Sequence, residues 1–240
     1  MTPLQALRKA RPADPFVRWR IAAEDLGDVV VDGDHVAWTR RAERNEEWWG
    51  TALGEDPARV VRLIERLDAL APLEGVTVPA EAFVALPRRL SSPDPGYWSL
   101  WFIDPADVPL ESSAAVELAG DDVRIDAVLE HSTSAEAFAG DPSVRRWAGV
   151  EVDGRLVAVA AERRRGNGSA GLLSVCTVPD ARGRGHARNA CLLLMQRARD
   201  DGVPTIFLEM YADNEAGRRT YTALGFTEVG RYRSGLLNAR

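Results

Sequence analysis

The stretch that decides the fold is Leu172-Leu173-Ser174-Val175-Cys176-Thr177-Val178-Pro179-Asp180-Ala181-Arg182-Gly183-Arg184-Gly185-His186-Ala187. An apolar run enters a turn rich in arginine and glycine, and a helical pattern follows from Arg184 to about Asp200. The first N–H groups of a helix have no internal partner, and the helix dipole adds partial positive charge at that end. Gly183 and Gly185 let the backbone approach a ligand closely, and Arg182, Arg184 and Arg188 add positive charge. The turn therefore suits a pyrophosphate. A bare helix start, or a nucleotide loop of another class, would use similar residues. The phosphate loop of NTPases is excluded, because no Lys-Ser or Lys-Thr follows the glycines. A dinucleotide fold wants its glycine turn after the first strand of a βαβ unit, whereas this turn follows about the fourth strand of its domain.

Outward from that turn, the pattern predicts strands at 114–118, 147–152, 155–161 and 170–178, with a helix from Asp122 to about Glu136. After the helix at 184–200 come a strand at 205–210, a helix at 215–224 and a strand at 226–232. Towards the N-terminus, residues 1–15 form a short helix or arm. Asp28–Thr39 alternates around Asp32-Gly33-Asp34, a hairpin signal. Val60, Val61, Ile64, Leu67 and Leu70 fall at helical spacing behind Asp56-Pro57, a cap and a first-position proline. Strands are expected at 76–78, 83–86 and 97–103. The proline- and acid-rich segment Asp104–Ser113 places a boundary, giving a smaller α+β domain at 1–110 and an α/β domain at 111–240. Six of the seven tryptophans precede that boundary. Their acidic setting favours core aromatics over base stacking.

Arg182-Gly183-Arg184-Gly185-His186-Ala187 resembles the Arg/Gln-x-x-Gly-x-Gly/Ala acyl-CoA motif of the GNAT N-acetyltransferase superfamily. A second block, Leu208-Glu209-Met210 with Asn214, Tyr221 and Leu224-Gly225-Phe226, resembles the ending of the same family. The resemblance covers residues 114–240. It implies a GNAT-like mixed, mostly antiparallel sheet flanked by helices, and an N-acetyltransferase that uses acetyl-CoA as co-substrate without a metal. Backbone groups of Cys176, Thr177 and Val178 would pair with the pantetheine arm. The N–H groups from Arg182 through Gly183, Arg184, Gly185 and His186 to Ala187 would hold the pyrophosphate. Asn214 would orient the end of the arm, although asparagine also suits a plain helix cap. Tyr221 would protonate the departing thiolate, and a core tyrosine is the alternative. Cys176 itself reads as strand packing.

Many relatives place a glutamate on the strand before the phosphate turn, where this chain has Ser174 and Cys176. Glu162 is the expected substitute base, ahead of His131 and Glu130, and water would serve as well. The expected reaction is direct acetyl transfer to a primary amine of a small molecule or a protein. The alternative is a non-catalytic acyl-CoA-binding module. The N-terminal half could be a decayed second GNAT-like half, without a cofactor turn of its own, and could form a dimer surface. The net charge of −6 argues against nucleic acid and anionic membrane as partners. Two isolated cysteines and the lack of a long apolar segment point to the cytoplasm.

Overall fold

The structure, a computed structural model, describes residues 1–21, 23–41 and 48–238. The chain forms two compact units. One comprises Met1–Leu100, Tyr211–Asp213 and Val229–Arg240; the other comprises Trp101–Met210 and Asn214–Glu228.

The first unit opens with α1, Pro3–Ala10, where Thr2 and Gln5 form a reciprocal capping box. Strands β1 (Leu26–Asp32) and β2 (His35–Arg41) make the expected hairpin, with Gly33 at φ 64 in its turn. Strand β3, Trp48–Leu53, adds antiparallel to β2. It was not read from the sequence, and it follows a charged segment outside the described residues. Helix α2, Pro57–Leu70, begins where its cap predicted, and Asp56 accepts from the N–H groups of Ala58 and Arg59. It buries Val60, Leu63, Ile64 and Leu67, one face at helical spacing. The helix carries the chain across to β4, Gly75–Pro79, parallel to β3.

The run expected as a strand at 83–86 is instead the end of α3, Ala80–Phe83, and a turn. Val84 is exposed there, so the segment has no second buried face to satisfy. Strand β5, Gly96–Ile103, begins in this unit and ends in the other.

The second unit contains β6 (Val116–Leu118), α4 (Arg124–Leu129), β7 (Val144–Val152), β8 (Arg155–Arg164) and β9 (Ala170–Thr177). Helix α5 (His186–Asp200) then leads to β10 (Ile206–Tyr211), and α6 (Glu215–Ala223) follows. Strands β6 to β9 pair antiparallel in order, and β10 lies parallel to β9. Helix α5 packs on one face through Ala190, Leu194 and Met195. Helix α4 packs through Ile125, Val128 and Leu129 with a separate cluster that includes Trp147 and Cys176. Helix α4 is much shorter than the 122–136 expected. The hydroxyl-rich run Ser132-Thr133-Ser134 favours local side-chain bonding over helix, and strand β9 captures the amides of Glu136 and Ala137.

The final strand, β11 (Thr227–Leu236), starts in the second unit and ends in the first. There it runs antiparallel to β4, with Tyr232 opposite Pro79 and Leu236 opposite Gly75. The first unit is thus completed by the last strand of the sequence. Its tryptophans are structural. Trp38, Trp98 and Tyr232 pack around Phe16, and the indoles of Trp49 and Trp98 donate to Thr77 and Ser234, whose hydroxyls bond each other. Both units are mixed, mostly antiparallel sheets flanked by helices. Among the described residues no helix is long and apolar enough to cross a membrane.

Candidate active site

The centre of the site is the second half of β9. Its parallel pairing with β10 covers Ala170, Gly171 and Leu172, and ends at the pair Leu172–Leu208. Both strands continue beyond that pair, β9 to Thr177 and β10 to Tyr211. The two edges therefore part, and the backbone of β9 from Leu173 onward is offered to an added strand. The register with β8 also shifts here. Val159 faces Cys176 and Ala161 faces Leu173, so β9 holds one residue more than its neighbour. That extra residue is a bulge at Ser174, which sits at φ 48. Left-handed backbone is unusual for serine, and such strain persists only where the surroundings impose it. Here the surroundings are three hydrogen bonds: the Ser174 hydroxyl accepts from the N–H groups of Glu136 (3.1 Å) and Ala137 (2.9 Å) and donates to the Ala137 carbonyl (3.1 Å).

β9 runs directly into the phosphate-like turn. A short 3-10 turn, Pro179–Ala181, leads to Gly183 at φ 76 and Gly185 at φ 78. A Cβ built at either glycine would meet nothing within 4 Å, so the space in front of the turn is open. Gly185 precedes the first residue of α5, and no side chain caps this helix. The first N–H groups of α5 are therefore left to an outside acceptor. The corresponding helix of the first unit is different. α2 also joins two parallel strands, but the Asp56 carboxylate occupies its N-terminal amides at 2.8 and 3.3 Å. The Asp56 N–H is itself bound by His35 Nε2. A carboxylate from the chain already fills the place an anion would take.

The three arginines near the turn have separate tasks. Arg182 is not a mobile charge: its Nε donates to the Thr177 carbonyl at 3.0 Å and its Nη2 to the His131 carbonyl at 3.4 Å, which ties the turn to the strand before it. Arg188 pairs with Glu111. Arg184 makes no ion pair among the described residues and is exposed. His186 is the first residue of α5 and is half-buried. Cys176 is buried and its thiol donates to the Val128 carbonyl at 3.3 Å. Burial pushes the Cys176 pKa up, partly opposed by the Arg182 charge, so the thiol is a packing group and a poor nucleophile.

Tyr221 lies on α6 in the cluster beneath α5, edge-on to Phe226 at 6.0 Å. Its hydroxyl has no protein partner among the described residues. Burial, and to a lesser degree the neighbouring Cys191 thiol, push its pKa well above the ordinary phenol value. The phenol thus carries its proton at any physiological pH. Asn214 is the N-cap of α6, and its side-chain oxygen accepts from the Gly217 N–H at 2.8 Å. A Cβ at Gly217 would come within 2.7 Å of the Asn214 amide nitrogen and 3.0 Å of the Met210 sulfur, so only glycine leaves this cap undistorted.

Glu162, expected as the base, has a different setting. It is fully buried, and both oxygens accept from guanidinium groups, Arg146 at 3.2 Å and Arg164 at 2.5 Å. The same two arginines reach Asp201, just past the C-terminal end of α5, at 2.8 and 2.6 Å. The phosphate-like turn lies at the other end of that helix, which spans roughly 22 Å at 1.5 Å per residue. The structure therefore ties both Glu162 oxygens into an ion network at the far end of α5. Glu130 and His131 are exposed residues just past α4, and the His131 carbonyl serves Arg182. Among the described residues no group of three or more His, Cys, Asp or Glu side chains is placed to hold a metal ion.

The residue that sequence reasoning passed over is Ser174. Serine carries no signal for left-handed backbone, and its partners lie 37 residues or more away.

Residues 115–226 match the model of the acetyltransferase (GNAT) family. Among solved structures, one described as a GNAT-family acetyltransferase from Novosphingobium aromaticivorans is 22% identical, with a TM-score of 0.57, over all of this chain and 97% of the other. A GCN5-related N-acetyltransferase from Kribbella flavida is 17% identical, with a TM-score of 0.54 and the same coverages. A GCN5-related N-acetyltransferase from Sphaerobacter thermophilus is 15% identical, with a TM-score of 0.55, over 84% of this chain and 76% of the other. At these identities the likeness is one of fold. No curated protein matches the chain.

Proposed function

We propose that the second unit, in which residues 115–226 match the GNAT acetyltransferase family, takes acetyl-CoA and passes its acetyl group directly to a primary amine in a ternary complex. The observation that carries this reading is the continuity of one strand edge with one open helix start. The parted edge of β9 suits an amide-bearing arm, and the uncapped α5 N-terminus, three residues after Arg182, suits a pyrophosphate. Open space in front of Gly183 and Gly185 leaves room for the phosphates.

In this reading the β9 backbone groups that face away from β8, Thr177 among them, pair with the pantetheine amides. Val178, expected in that role, instead donates its N–H to the Val157 carbonyl of β8, and Cys176, two residues back, faces the same neighbour. The N–H groups from Arg182 to Ala187 hold the pyrophosphate, and Arg184 neutralises it. The bound thioester and amine react because they are held together, which replaces a bimolecular encounter by an intramolecular one. The amine nitrogen attacks the thioester carbon, the carbon–sulfur bond breaks, and Tyr221 gives its proton to the thiolate. Tyr221 suits that task because its hydroxyl is protonated and bonded to no other group among the described residues. Asn214 supports the site by fixing the start of α6, two turns before Tyr221 on the same helix. Glu162 belongs to the scaffold. The first unit takes no cofactor, since Asp56 already satisfies its helix start. The cytoplasm is the proposed compartment.

Thermal denaturation with acetyl-CoA, ATP and NADH tests the cofactor. Only acetyl-CoA should raise the melting temperature, and by an amount that grows with concentration. No shift, or a larger one with ATP, overturns the reading. Release of free thiol with a panel of primary amines tests transfer; binding without release in any case would leave an acyl-CoA-binding module.

A further inference from the structure

The peptide between Gly185 and His186 is the pivot of the phosphate-like turn. In a trans peptide the carbonyl of one residue and the N–H of the next point in opposite directions. The direction of the Gly185 carbonyl therefore decides where the His186 N–H points. With the carbonyl turned into α5, that N–H faces out of the open helix start. Glycine at φ 78 does little to hold this plane by itself, since it lacks the Cβ that narrows the conformations of other residues.

Two donors from one residue hold the carbonyl. Asn189 gives it the backbone N–H at 3.0 Å, the first bond of the helix, and the side-chain Nδ2 at 3.1 Å. The other half of that amide is fixed as well. Its Oδ1 accepts from the Ala114 N–H at 2.9 Å, so the oxygen and nitrogen cannot exchange places without losing both bonds. At the start of α2 the matching carbonyl, that of Asp56, takes the N–H of Val60, a buried residue whose side chain has no donor to add. The second donor thus belongs to the helix whose start is open.

The Ala114 N–H comes from a strap, residues 109–117, that lies along α5. Gln196 donates to the Pro109 and Glu111 carbonyls at 3.0 and 2.8 Å, Arg188 pairs with Glu111, and Arg197 pairs with Glu117. Positions 188 and 196, like 189 and 197, are eight apart, a little over two turns, so these side chains share one face of the helix. Ser113 fastens the apex of the strap. Its hydroxyl donates to the Asn189 carbonyl at 2.8 Å and accepts from the Ala115 N–H at 3.0 Å. Asn189 therefore touches both the strap and the turn.

We propose that Asn189 is a positioning residue for the cofactor's pyrophosphate: held by the strap, it fixes the Gly185–His186 peptide so that the His186 N–H is aimed before the phosphate arrives. The inference rests on the acetyl-CoA reading above. A donor that is already aimed need not be ordered on binding, and the saved ordering appears as affinity. Asn189 acts through one peptide plane and touches no part of the cofactor.

Asn189→Leu removes both side-chain bonds with little change in size. In the full chain it should weaken acetyl-CoA about 10-fold in calorimetric titration, the upper worth of one neutral hydrogen bond. Asn189→Thr tests the cause, because a threonine hydroxyl in a helix donates to the carbonyl four residues back, which here is Gly185. It should recover most of the lost affinity. Amide spectra read the peptide directly. Acetyl-CoA should move the His186 amide proton downfield in the wild type, as a new charge-assisted hydrogen bond does. In Asn189→Leu that shift should be at most half as large at saturation, whereas loss of a merely structural contact would leave it in place. An Asn189→Leu dissociation constant within twofold of wild type, an Asn189→Thr variant that binds no tighter than Asn189→Leu, or a full-sized His186 shift in Asn189→Leu overturns the inference. Failure of the wild type to bind acetyl-CoA overturns the reading beneath it instead.

Discussion

Gly185→Glu is the sharpest test of the phosphate turn. The residue sits at φ 78 immediately before α5. Forcing a non-glycine residue into that conformation costs about 1–2 kcal/mol. A built Cβ meets nothing within 4 Å, so no clash adds to that figure in the free protein. For a chain of this length the melting temperature should fall by about 2–8 °C. Binding should suffer far more. The new carboxylate stands before the helix N–H groups and competes for them, much as Asp56 occupies the start of α2. Loss of two charge-assisted hydrogen bonds at about 1.5–3 kcal/mol each weakens acetyl-CoA by at least about 100-fold, and like-charge repulsion adds to it. Gly202→Glu is the control. It too has positive φ, 72, and open Cβ space, but it lies past the opposite end of α5. Calorimetric titration of both variants decides the matter. A Gly185→Glu dissociation constant within threefold of wild type, or an equal loss in Gly202→Glu, refutes the assignment of the pyrophosphate to this turn.

Three further outcomes follow from the geometry. Tyr221→Phe removes a hydroxyl with no protein partner, so stability should hold within about 1 kcal/mol by chemical denaturation. Turnover should drop by roughly 10²-fold, the low end for a lost general acid; turnover within twofold of wild type would make Tyr221 a packing residue. Glu162→Gln should destabilise the fold by about 1.5–3 kcal/mol, because a buried carboxylate loses its charge-assisted hydrogen bonds to the half-buried Arg146 and Arg164 guanidinium groups. Its turnover in the folded protein should stay within about twofold, and a 10-fold loss would restore Glu162 as the base. Hydrogen bonding to Arg146, with the nearby Arg145 and Arg164 charges, lowers the Asp201 carboxyl to about 2 from an ordinary 3.8. The depressed value means that its contribution is complete above about pH 4 and is lost as pH falls towards 2. Acid unfolding followed by circular dichroism should show Asp201→Asn unfolding with a weaker pH dependence in that window than wild type.

Much of this molecule was legible because its local signals agree with its tertiary structure. Asp56-Pro57 and the spacing of Val60, Ile64 and Leu67 specify α2 without help from elsewhere. The turn at Gly183 and Gly185 announces the start of α5 in the same way. Reading failed where distant partners decide. Nothing local marks Ser174 for positive φ, since Asn, Asp and Gly are the usual occupants of that region. The helix expected at 122–136 stops at Leu129 because a strand 37 residues downstream binds the Ala137 amide. Glu162 looked available at a strand end, but its charge is met by Arg146 on a neighbouring strand and by Arg164, two residues along its own. A linear reading also had no means of giving the final strand to the first unit.

That last assignment bears on synthesis. A ribosome delivers Gly75–Pro79 long before Tyr232–Leu236, its antiparallel partner. Until more than 150 further residues have been made, one edge of β4 waits without its ladder, and an open edge is a template for mispairing. The second unit, by contrast, has its sheet in hand once β10 has emerged. Folding during translation should then close the C-terminal unit's sheet before the N-terminal one is finished, the reverse of the usual vectorial order. A truncation after residue 110 would leave β4 without the antiparallel strand that pairs with it.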